Sequence, residues 1–415
     1  MVVNLRTQIL KITHMLTLDK IYHASYVLKD VIRRTDLIHA PQINPGATVY
    51  LKPENLQLTG SFKVRGSYYK ISQLSAEEKA KGVIACSAGN HAQGVALAAT
   101  KNGIKSTICL PDCAPISKVE ATKRYGAEIC LVEGVYDDAY QKALQLRDEM
   151  GYTFIHPFDD VDVIAGQGTI GLELLDQVKD VDVVIVPIGG GGLISGVAYA
   201  IKSLNPNVKV YGVQSSGAPS MYNSVKKKKI ERLAGVSTIA DGIAVKEPGQ
   251  NTFELCSKYV DGIVTVTDDE VSSAILSMME NQKLIAEGAG AVAVAAAKFN
   301  KVPIEGKNVI CLVSGGNIDV TILDRVIKRG LLTAGRSCAL TIELLDKPGQ
   351  LLTISKIIAD HGGNVISVHH ERANASMDIN GCFLRINMET RNYEQIEEIK
   401  NAITAAGFKL ENNKF

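Results

Sequence analysis

The sequence predicts an α/β protein with two lobes in about its first 330 residues and a separate βαββαβ module at its C-terminus. From about residue 80 to 330, eight short apolar runs rich in β-branched residues alternate with helical patterns. Such alternation indicates parallel strands joined by crossover helices. After Gly330 the pattern changes to alternating strands and two amphipathic helices. A chain of 415 residues is long enough for these two or three domains.

The eight apolar runs are, in chain order, GVIAC, STICLP, EICLVEG, TFIHPF, VDVVIVPI, VKVYGVQ, GIVTVT and NVICLVSG. VDVVIVPI (181–188) is apolar at nearly every position, so we expect an interior strand covered on both faces. The first four runs lie together in the first part of the chain, which favours a smaller α/β lobe beside a larger one. We therefore expect a large lobe (1–50 and 156–332), a small lobe (51–155) and a ligand cleft between them.

The C-terminal module (336–415) follows a short joint, LLTAGRSC. ALTIELLD, NVISVHHER, CFLRINMET and FKLEN have the alternation of strands, and LLTISKIIADHGG has helical spacing. YEQIEEIKNAITAAG places Ile396, Ile399 and Ile403 on one helical face. The order is βαββαβ.

Composition excludes several function classes. The formal net charge is +1, and the one basic run, Lys226 to Lys229, has no interleaved aromatic residues, so we expect no nucleic-acid partner. Arg6 and Lys11 interrupt the N-terminal apolar residues and no apolar stretch has the length of a membrane span, so we expect a cytoplasmic protein without a membrane partner. The eight cysteines lack the spacing of a zinc finger or a disulfide framework.

GGGGLISG (189–196) is the most specific glycine-rich loop, because it directly follows VDVVIVPI and continues into a helical pattern. Consecutive glycines leave backbone N–H groups accessible, and a helix N-terminus favours an anion. The loop lacks the lysine and hydroxyl residue of a nucleotide P-loop and the third glycine of a dinucleotide-binding loop. We therefore expect a phosphate group here. The alternative is a turn whose glycines serve only tight packing of strand against helix.

Two further loops and one lysine complete a predicted site. SAGNHAQG (87–94) offers a hydroxyl, an amide and helix-start N–H groups that suit a carboxylate. SGGN (314–317) follows a strand, and ligands bind at the carboxyl ends of parallel strands. Lys63, in GSFKVRG, offers an amine that can react with a carbonyl group, although most lysines are solvated surface charges. Together these segments predict one site with a phosphate clamp, a carboxylate clamp and an amine.

In this order and at these separations, SFKVRG, SAGNHAQG, GGGGL and SGGN resemble the fold-type II pyridoxal-phosphate enzymes, whose fold is tryptophan synthase β-like, and most closely the threonine and serine dehydratases. HPFDD (156–160), AGQGT (165–169) and ADGIAV (240–245) fit the same pattern, and the resemblance covers about residues 10–330. It implies pyridoxal 5′-phosphate as cofactor. It also implies an enzyme, an ammonia-lyase that converts L-threonine to 2-oxobutanoate and ammonia, with L-serine giving pyruvate as a secondary activity.

The resemblance assigns roles residue by residue. Lys63 would bind the cofactor covalently and act as the catalytic residue, with Phe62 stacking on the pyridine ring. Asn90 would hydrogen-bond the ring hydroxyl, and Ser314 would face the pyridine nitrogen. The phosphate would be held by Gly189, Gly190, Gly191, Gly192 and Leu193. The substrate carboxylate would be held by the loop residues Ser87, Ala88, Gly89, Asn90 and His91.

These roles imply a mechanism. Lys63, freed by the substrate amine and with its pKa lowered by its surroundings, would remove the Cα proton before the β-hydroxyl leaves. A serine at the pyridine nitrogen, unlike a carboxylate, does not keep that nitrogen protonated, which favours β-elimination over transamination. Glu287, in AEGAG, has two equally supported interpretations: burial near the cofactor, or a charge at a helix terminus.

Two alternatives are weighed against this prediction. A serine racemase of the same family would carry serine directly before the glycine of the carboxylate loop, where this chain has Ala88. Those racemases also carry a metal-binding glutamate where VQSS has Gln214, so we expect no metal. The other alternative is a non-catalytic amino-acid sensor on this fold, against which the retention of Lys63, Asn90 and Ser314 argues.

The C-terminal module resembles an ACT regulatory domain, with DKPG (346–349) in the loop after its first strand. We expect an amino-acid or nucleotide effector near Gly349, Gln350 and Asn364. Exposed strand edges favour side-by-side pairing of two copies, so we expect a homo-oligomer, a dimer or a tetramer. The alternative is a module that serves dimerisation alone.

Overall fold

The computed structural model describes residues 15–372 and 380–411. Arg6 and Lys11, on which the prediction of no signal segment depended, lie outside this part of the chain. The chain divides into two compact units, one ending at Ile322 and the other beginning at Leu323. Within the described ranges, no helix has both the length and the apolar character needed to cross a membrane.

The strands of the first unit form two sheets. In chain order they are β1 (Ile38–His39), β2 (Thr48–Pro53), β3 (Val83–Cys86), β4 (Ser106–Pro111), β5 (Glu128–Val132), β6 (Thr153–Phe154), β7 (Val183–Pro187), β8 (Lys209–Ser215), β9 (Gly262–Val266) and β10 (Asn308–Val313). The larger sheet has the order β1-β2-β10-β7-β8-β9, and the smaller has the order β5-β4-β3-β6. All pairs are parallel except β1 with β2.

The helices of this unit connect the strands and cover the sheets. They are α1 (Leu18–Leu28), α2 (Lys63–Ser72), α3 (Ala76–Lys81), α4 (Asn90–Lys101), α5 (Ile116–Arg124), α6 (Tyr136–Met150), α7 (Val161–Gln177), α8 (Gly192–Leu204), α9 (Ser220–Lys227), α10 (Gln250–Tyr259), α11 (Asp268–Asn281) and α12 (Gly288–Lys298). Local signals set several starts: Thr267 and Glu270 form a capping box at α11, and the Asp160 side chain accepts two backbone N–H bonds at α7.

All eight predicted strands are confirmed, and β7 lies in the interior of the larger sheet with every residue buried. The same sheet contains β1 and β2, which the sequence analysis did not predict. The predicted lobe limit between residues 50 and 51 falls inside β2, so we place this limit after Pro53. The first four predicted strands form the smaller sheet, whose core is closed by α2 and α4.

The second unit has the predicted βαββαβ order. Its elements are β11 (Ser337–Leu345), α14 (Gln350–Asp360), β12 (Asn364–Glu371), β13 (Gly381–Glu389), α15 (Tyr393–Ala405) and β14 (Lys409–Leu410). The antiparallel sheet has the order β12-β13-β11-β14. Ile396, Ile399 and Ile403 are buried in its core, as predicted. The joint is shorter than expected, because α13 (Val320–Thr333) continues past Gly330.

Strand register separates the predicted effector residues. The loop with Gly349 and Gln350 follows Leu345, which pairs with Gly381 at the start of β13. Asn364 pairs with Glu389 at the other end of β13 and donates a hydrogen bond to its carboxylate (2.9 Å). Within one chain, Asn364 and the loop therefore lie at opposite ends of the sheet.

Candidate functional site

A cavity of about 640 Å³ opens at the carboxyl ends of β3, β7 and β10, and so involves both sheets of the first unit. Its wall contains every residue that the sequence analysis assigned to cofactor or substrate: Phe62, Lys63, Ser87, Ala88, Gly89, Asn90, His91, Gly189, Gly190, Gly191, Gly192, Leu193 and Ser314. The fold thus brings four segments that are distant in sequence into one site. This volume is within the usual range for small-molecule pockets.

Lys63 is held in the wall by backbone contacts of the residues before it. The Phe62 N–H donates to the Ser314 carbonyl (3.1 Å), and Ser61 forms a β-bridge with Gly315. The Lys63 ammonium donates to the Pro157 carbonyl (2.7 Å) and lies 5.4 Å from the centroid of the Phe62 ring. The amine is therefore fixed at the first turn of α2, next to the SGGN loop.

Burial lowers the pKa of Lys63 to about 8, and the carboxylate of Glu287 only partly opposes this shift. Desolvation disfavours the charged form of an amine. Near this pH a large fraction of Lys63 is neutral, which is the form that can attack a carbonyl or accept a proton.

Arg65, two residues after Lys63, is fully buried and anchors the same helix. Its guanidinium donates two hydrogen bonds of 2.8 Å to the buried carboxylate of Glu54 and one of 2.6 Å to Glu173. Lys52 donates to Glu173 (2.6 Å), so the network contains two cations and two carboxylates. Burial disfavours the charged form of Glu173, but Arg65 and Lys52 outweigh it and hold the pKa of that carboxyl below its usual range. Sequence reasoning did not find this network, because its members pair only after folding.

The glycine loop places a helix N-terminus in the wall. Gly191 caps α8 with a φ of +99°, which favours glycine, and the first N–H groups of a helix have no partner within it. A Cβ at Gly190 would lie 2.4 Å from the Phe158 ring, and one at Gly191 would lie 2.7 Å from Met221. The close packing of Phe158 and Met221 is therefore enough to require glycine at positions 190 and 191, whether or not a ligand binds. The accessible N–H groups are a second feature of the same loop, suited to a phosphate.

The polar side chains of the carboxylate loop already have hydrogen-bond partners within the protein. The His91 ring donates through Nε2 to the Ile155 carbonyl (2.8 Å), and burial, aided by nearby Lys63, lowers the pKa of His91 to about 3. The imidazole is thus neutral and bonded to the backbone of the small lobe, so its side chain supports the loop. The Ser87 hydroxyl accepts the Gly89 N–H (3.1 Å), which orders the turn before α4.

Asn90 connects the carboxylate loop to the other side of the cavity. Its amide nitrogen donates to Glu287 (2.6 Å), and its amide oxygen accepts from Asn317 (2.7 Å). Ser314, which is 3% exposed, donates to the Ala289 carbonyl (3.3 Å) at the start of α12. These bonds fix the orientation of both side chains, while the roles assigned to them towards a cofactor stay predictions.

Glu287 is the N-cap residue of α12, and its side chain is buried beside Asn90 in the cavity wall. Its position relative to a bound cofactor stays a prediction. Burial, strengthened by the charge of Asp241, raises the pKa of Glu287 to about 7. The carboxyl group therefore retains a proton at pH values where an exposed glutamate has lost it. A buried group with such a pKa can donate or accept a proton near neutrality.

This shift predicts a pH-dependent effect of Glu287→Gln. Between the ordinary value of 4.5 and about 7, the folded state binds more protons at Glu287 than the unfolded state does, so this group's contribution to stability falls as the pH rises. A glutamine side chain does not ionise, so the variant does not lose stability in this way as the pH rises. We expect the free energy of unfolding of Glu287→Gln, relative to wild type, to increase by up to about 3 kcal/mol from pH 5 to pH 8.

Guanidinium unfolding at the two pH values, followed by circular dichroism on protein stripped of cofactor, measures this difference. Glu133→Gln, at an exposed position, is the matched control and should show the same difference from wild type at both pH values. A Glu287→Gln difference that does not change with pH would contradict the assigned shift.

The structure also adds residues to the site that the sequence analysis did not assign. Lys118, on α5, forms an ion pair with Asp241 (2.6 Å), which lies in the ADGIAV segment of the larger lobe. Gln167, from AGQGT, presents a buried amide nitrogen that has no hydrogen-bond partner among the described residues. The motifs of these residues were recognised as part of the pattern, but periodicity gives no sign of which side chain enters a cavity.

The donor groups of the cavity fit pyridoxal phosphate. An amine with a lowered pKa for its carbonyl carbon, a glycine-rich helix start for its phosphate, and hydroxyl and amide groups for its ring are all present in one wall. The partnerless amide of Gln167 is an additional polar atom that a bound group can satisfy.

Comparisons with known proteins agree with this fit. Residues 28–315 match the family model described as pyridoxal-phosphate dependent enzyme, and residues 339–404 match the ACT domain. An L-threonine ammonia-lyase of Thermotoga maritima is 49% identical over 398 residues, which are 95% of this chain and 99% of that protein.

Solved structures show the same likeness. The processed form of threonine deaminase isoform 2 from Solanum lycopersicum has a TM-score of 0.71 and 39% identity, covering 75% of this chain and 93% of that chain. A maize serine racemase has a TM-score of 0.72 and 35% identity, covering 77% of this chain and 98% of that chain. The fold alone therefore does not separate elimination from racemisation.

Proposed function

The chain belongs to the pyridoxal-phosphate dependent enzymes, and on that premise we propose that it is an L-threonine ammonia-lyase that forms 2-oxobutanoate and ammonia. One observation carries the proposal: a lysine, a glycine-rich helix start and a serine from distant segments line one cavity, in a chain 49% identical to an L-threonine ammonia-lyase over nearly its full length. L-Serine, which lacks the β-methyl group, is the secondary substrate and gives pyruvate.

Pyridoxal phosphate, when bound, withdraws electrons from the Cα of an amino acid. Residues 189–193 would bind its phosphate through backbone N–H groups, and Ser314 would face its ring nitrogen. The loop of residues 87–91 orients the substrate carboxylate. These contacts would hold the substrate with its Cα–H bond towards Lys63.

Lys63 Nζ accepts the Cα proton, and its lowered pKa makes the neutral amine available for this step. The β-hydroxyl leaves as water, and the released enamine takes up water to give the 2-oxo acid and ammonia. Overall, one water is lost and one is regained, so no oxidant or reductant is needed.

A serine racemase is the second candidate, favoured by the maize structure of that name. Racemisation requires an acid or base on the face of the substrate opposite Lys63. Ala88 occupies the position before the loop glycine where those racemases carry serine, and its methyl group cannot transfer a proton. We therefore assign elimination as the main reaction.

A steady-state assay of 2-oxo acid formation from L-threonine and L-serine tests this assignment, with chiral analysis of the amino acid that remains. We expect kcat/KM to be higher for L-threonine, and little D-serine to form. Formation of D-serine at a rate comparable to that of pyruvate would favour the racemase.

The ACT domain is proposed to regulate this activity in a cytoplasmic homo-oligomer. Because Asn364 and the loop with Gly349 and Gln350 lie at opposite ends of one sheet, an effector that contacts all three needs two copies. Antiparallel pairing of two β12 edges brings Asn364 of one copy towards the loop of the other. Side-by-side association therefore accounts for a single effector site made from both chains.

Deleting residues 336–415 is expected to leave a folded enzyme that no longer responds to an effector. A coupling of about 1–3 kcal/mol in the full chain corresponds to a change of roughly 5- to 150-fold in apparent affinity. Kinetics of both proteins with L-isoleucine, L-valine and adenine nucleotides measure this response. If the full chain binds none of them outside the active site and truncation alters only assembly, the domain serves dimerisation.

A further inference from the structure

The ACT unit contains three side chains with the chemistry of metal ligands, which come from three different elements. They are Asp346, His370 and Cys382, and one ligand atom of each lies within 4.8 Å of those of the other two. The sequence analysis expected no metal, because Gln214 replaces a metal-binding glutamate and the cysteines lack the spacing of a zinc finger, and it did not consider these three residues together. Folding, and not local sequence, brings them together.

Sheet register explains how they meet. Asp346 directly follows β11, and its N–H donates to the Asn380 carbonyl (2.9 Å), just before β13 begins. His370, on β12, pairs with Leu384 on β13. Cys382 is two residues before Leu384, so it lies on the same face of the sheet. The three side chains therefore share one face at one end of the sheet.

Two of the three side chains, His370 and Cys382, are already close enough to belong to one metal site. The His370 Nε2 and Cys382 Sγ atoms are 2.9 Å apart. A tetrahedral zinc ion with bonds of about 2.0–2.1 Å to nitrogen and 2.3 Å to sulfur separates these two atoms by about 3.5 Å, so a small side-chain shift would admit the ion. Cys382 is buried, whereas His370 and Asp346 are exposed, which leaves an open side for a water ligand.

One cation competes for the carboxylate. Arg372 Nε lies 3.2 Å from Asp346 Oδ2, and these side chains are 65% and 42% exposed. An exposed ion pair of this kind contributes little stability, so a divalent ion that also gains sulfur and nitrogen ligands can displace it. Thiolate, imidazole and carboxylate together suit zinc, whereas magnesium and calcium prefer oxygen ligands alone.

We propose that Asp346, His370 and Cys382 bind one zinc ion, with water as the fourth ligand. On binding, the Cys382 thiol releases its proton to solvent and a sulfur–zinc bond forms. Three protein ligands with one open position distinguish this site from a closed structural zinc site, which has four.

The test uses the full-length holoenzyme, loaded with Zn²⁺ and dialysed. We expect one zinc per chain by mass spectrometry, and X-ray absorption should show one sulfur neighbour at about 2.3 Å. His370→Gln and Cys382→Ser should each weaken zinc affinity at least tenfold in competition with a chelator. His369→Gln is the matched control, since His369 adjoins His370 but faces the other side of the sheet, and its affinity should stay within twofold of wild type.

The sulfur neighbour separates this site from zinc bound by the cofactor or by surface histidines and carboxylates, which offer only nitrogen and oxygen. Its loss in Cys382→Ser separates the site from zinc bound at the exposed Cys113. Cys382→Ser changes a core residue, so its fold is checked by circular dichroism. His370→Gln changes an exposed residue and keeps the test decisive if the serine variant misfolds. Equal zinc affinity in wild type and His370→Gln, absence of sulfur around the zinc, or an equal loss in His369→Gln would overturn the proposal.

Discussion

Replacing Lys63 with alanine is expected to lower the turnover of L-threonine by at least about 10³-fold, while the protein stays folded and binds pyridoxal phosphate without a covalent bond. The reason is that the proposed function gives one amine two roles, binding the cofactor and accepting the Cα proton, and a positioned general base alone is worth about 10²–10⁴-fold. No second amine occupies the place where Lys63 meets Pro157 and Phe62 among the described residues. Kinetics of 2-oxobutanoate formation, with cofactor content measured on the same sample, give the result.

Lys118→Ala is the matched comparison, because Lys118 also lines the cavity and pairs with Asp241. We expect it to change turnover by less than about tenfold, since an ion pair at the wall does not take part in proton transfer. A Lys63→Ala variant with turnover near that of wild type would remove Lys63 from its assigned role, whatever the effect of Lys118→Ala.

The second large effect is expected at Arg65, whose replacement by methionine should lower the free energy of unfolding by about 3–5 kcal/mol. Methionine preserves much of the volume but leaves the carboxylates of Glu54 and Glu173 without their main partner. Breaking a buried ion pair on one side is more costly than replacing both partners, because an unpaired charge remains buried. Guanidinium unfolding followed by circular dichroism measures the loss.

Adding Glu54→Gln to Arg65→Met should recover part of the loss, because one of the unpaired buried charges is then removed. Lys81→Met is the control: its pair with Glu77 is exposed, and no measurable change is expected. If Arg65→Met unfolds at the same guanidinium concentration as wild type, the network does not stabilise this region.

The sequence predicted the strands that are short apolar runs rich in β-branched residues, and this pattern is clearest in β7 and β10, which are buried on both faces. It did not predict β2, whose Lys52 interrupts the apolar run. That lysine is fully buried, and only the folded chain shows that Glu173 neutralises it. A charge in a strand is therefore a poor sign of exposure when its partner lies far away in sequence.

The candidate site shows the same limit. The three loops could be predicted because each follows a predicted strand, and ligands bind at the carboxyl ends of parallel strands. The Lys63 segment was added to them through the chemistry of its amine and the resemblance to a known family. Side-chain pairings that only tertiary structure forms could not be predicted: the Glu287 carboxylate accepts a hydrogen bond from Asn90, and the cluster of His370 and Cys382 depends on strand register. The local sequence pattern predicts where a residue lies on a helix or strand. Its pKa and its ability to bind a metal ion depend on the neighbours that folding brings close.

The most direct test of the central claim is to find the residue that holds the cofactor. Borohydride reduction of the holoenzyme fixes pyridoxal phosphate on its lysine, and peptide mapping by mass spectrometry then identifies that residue. Lys63, Lys118 and Lys246 all line the cavity, so the measurement decides among real alternatives. We predict the adduct on Lys63 alone. An adduct on Lys118 or Lys246 with unmodified Lys63 would contradict the account.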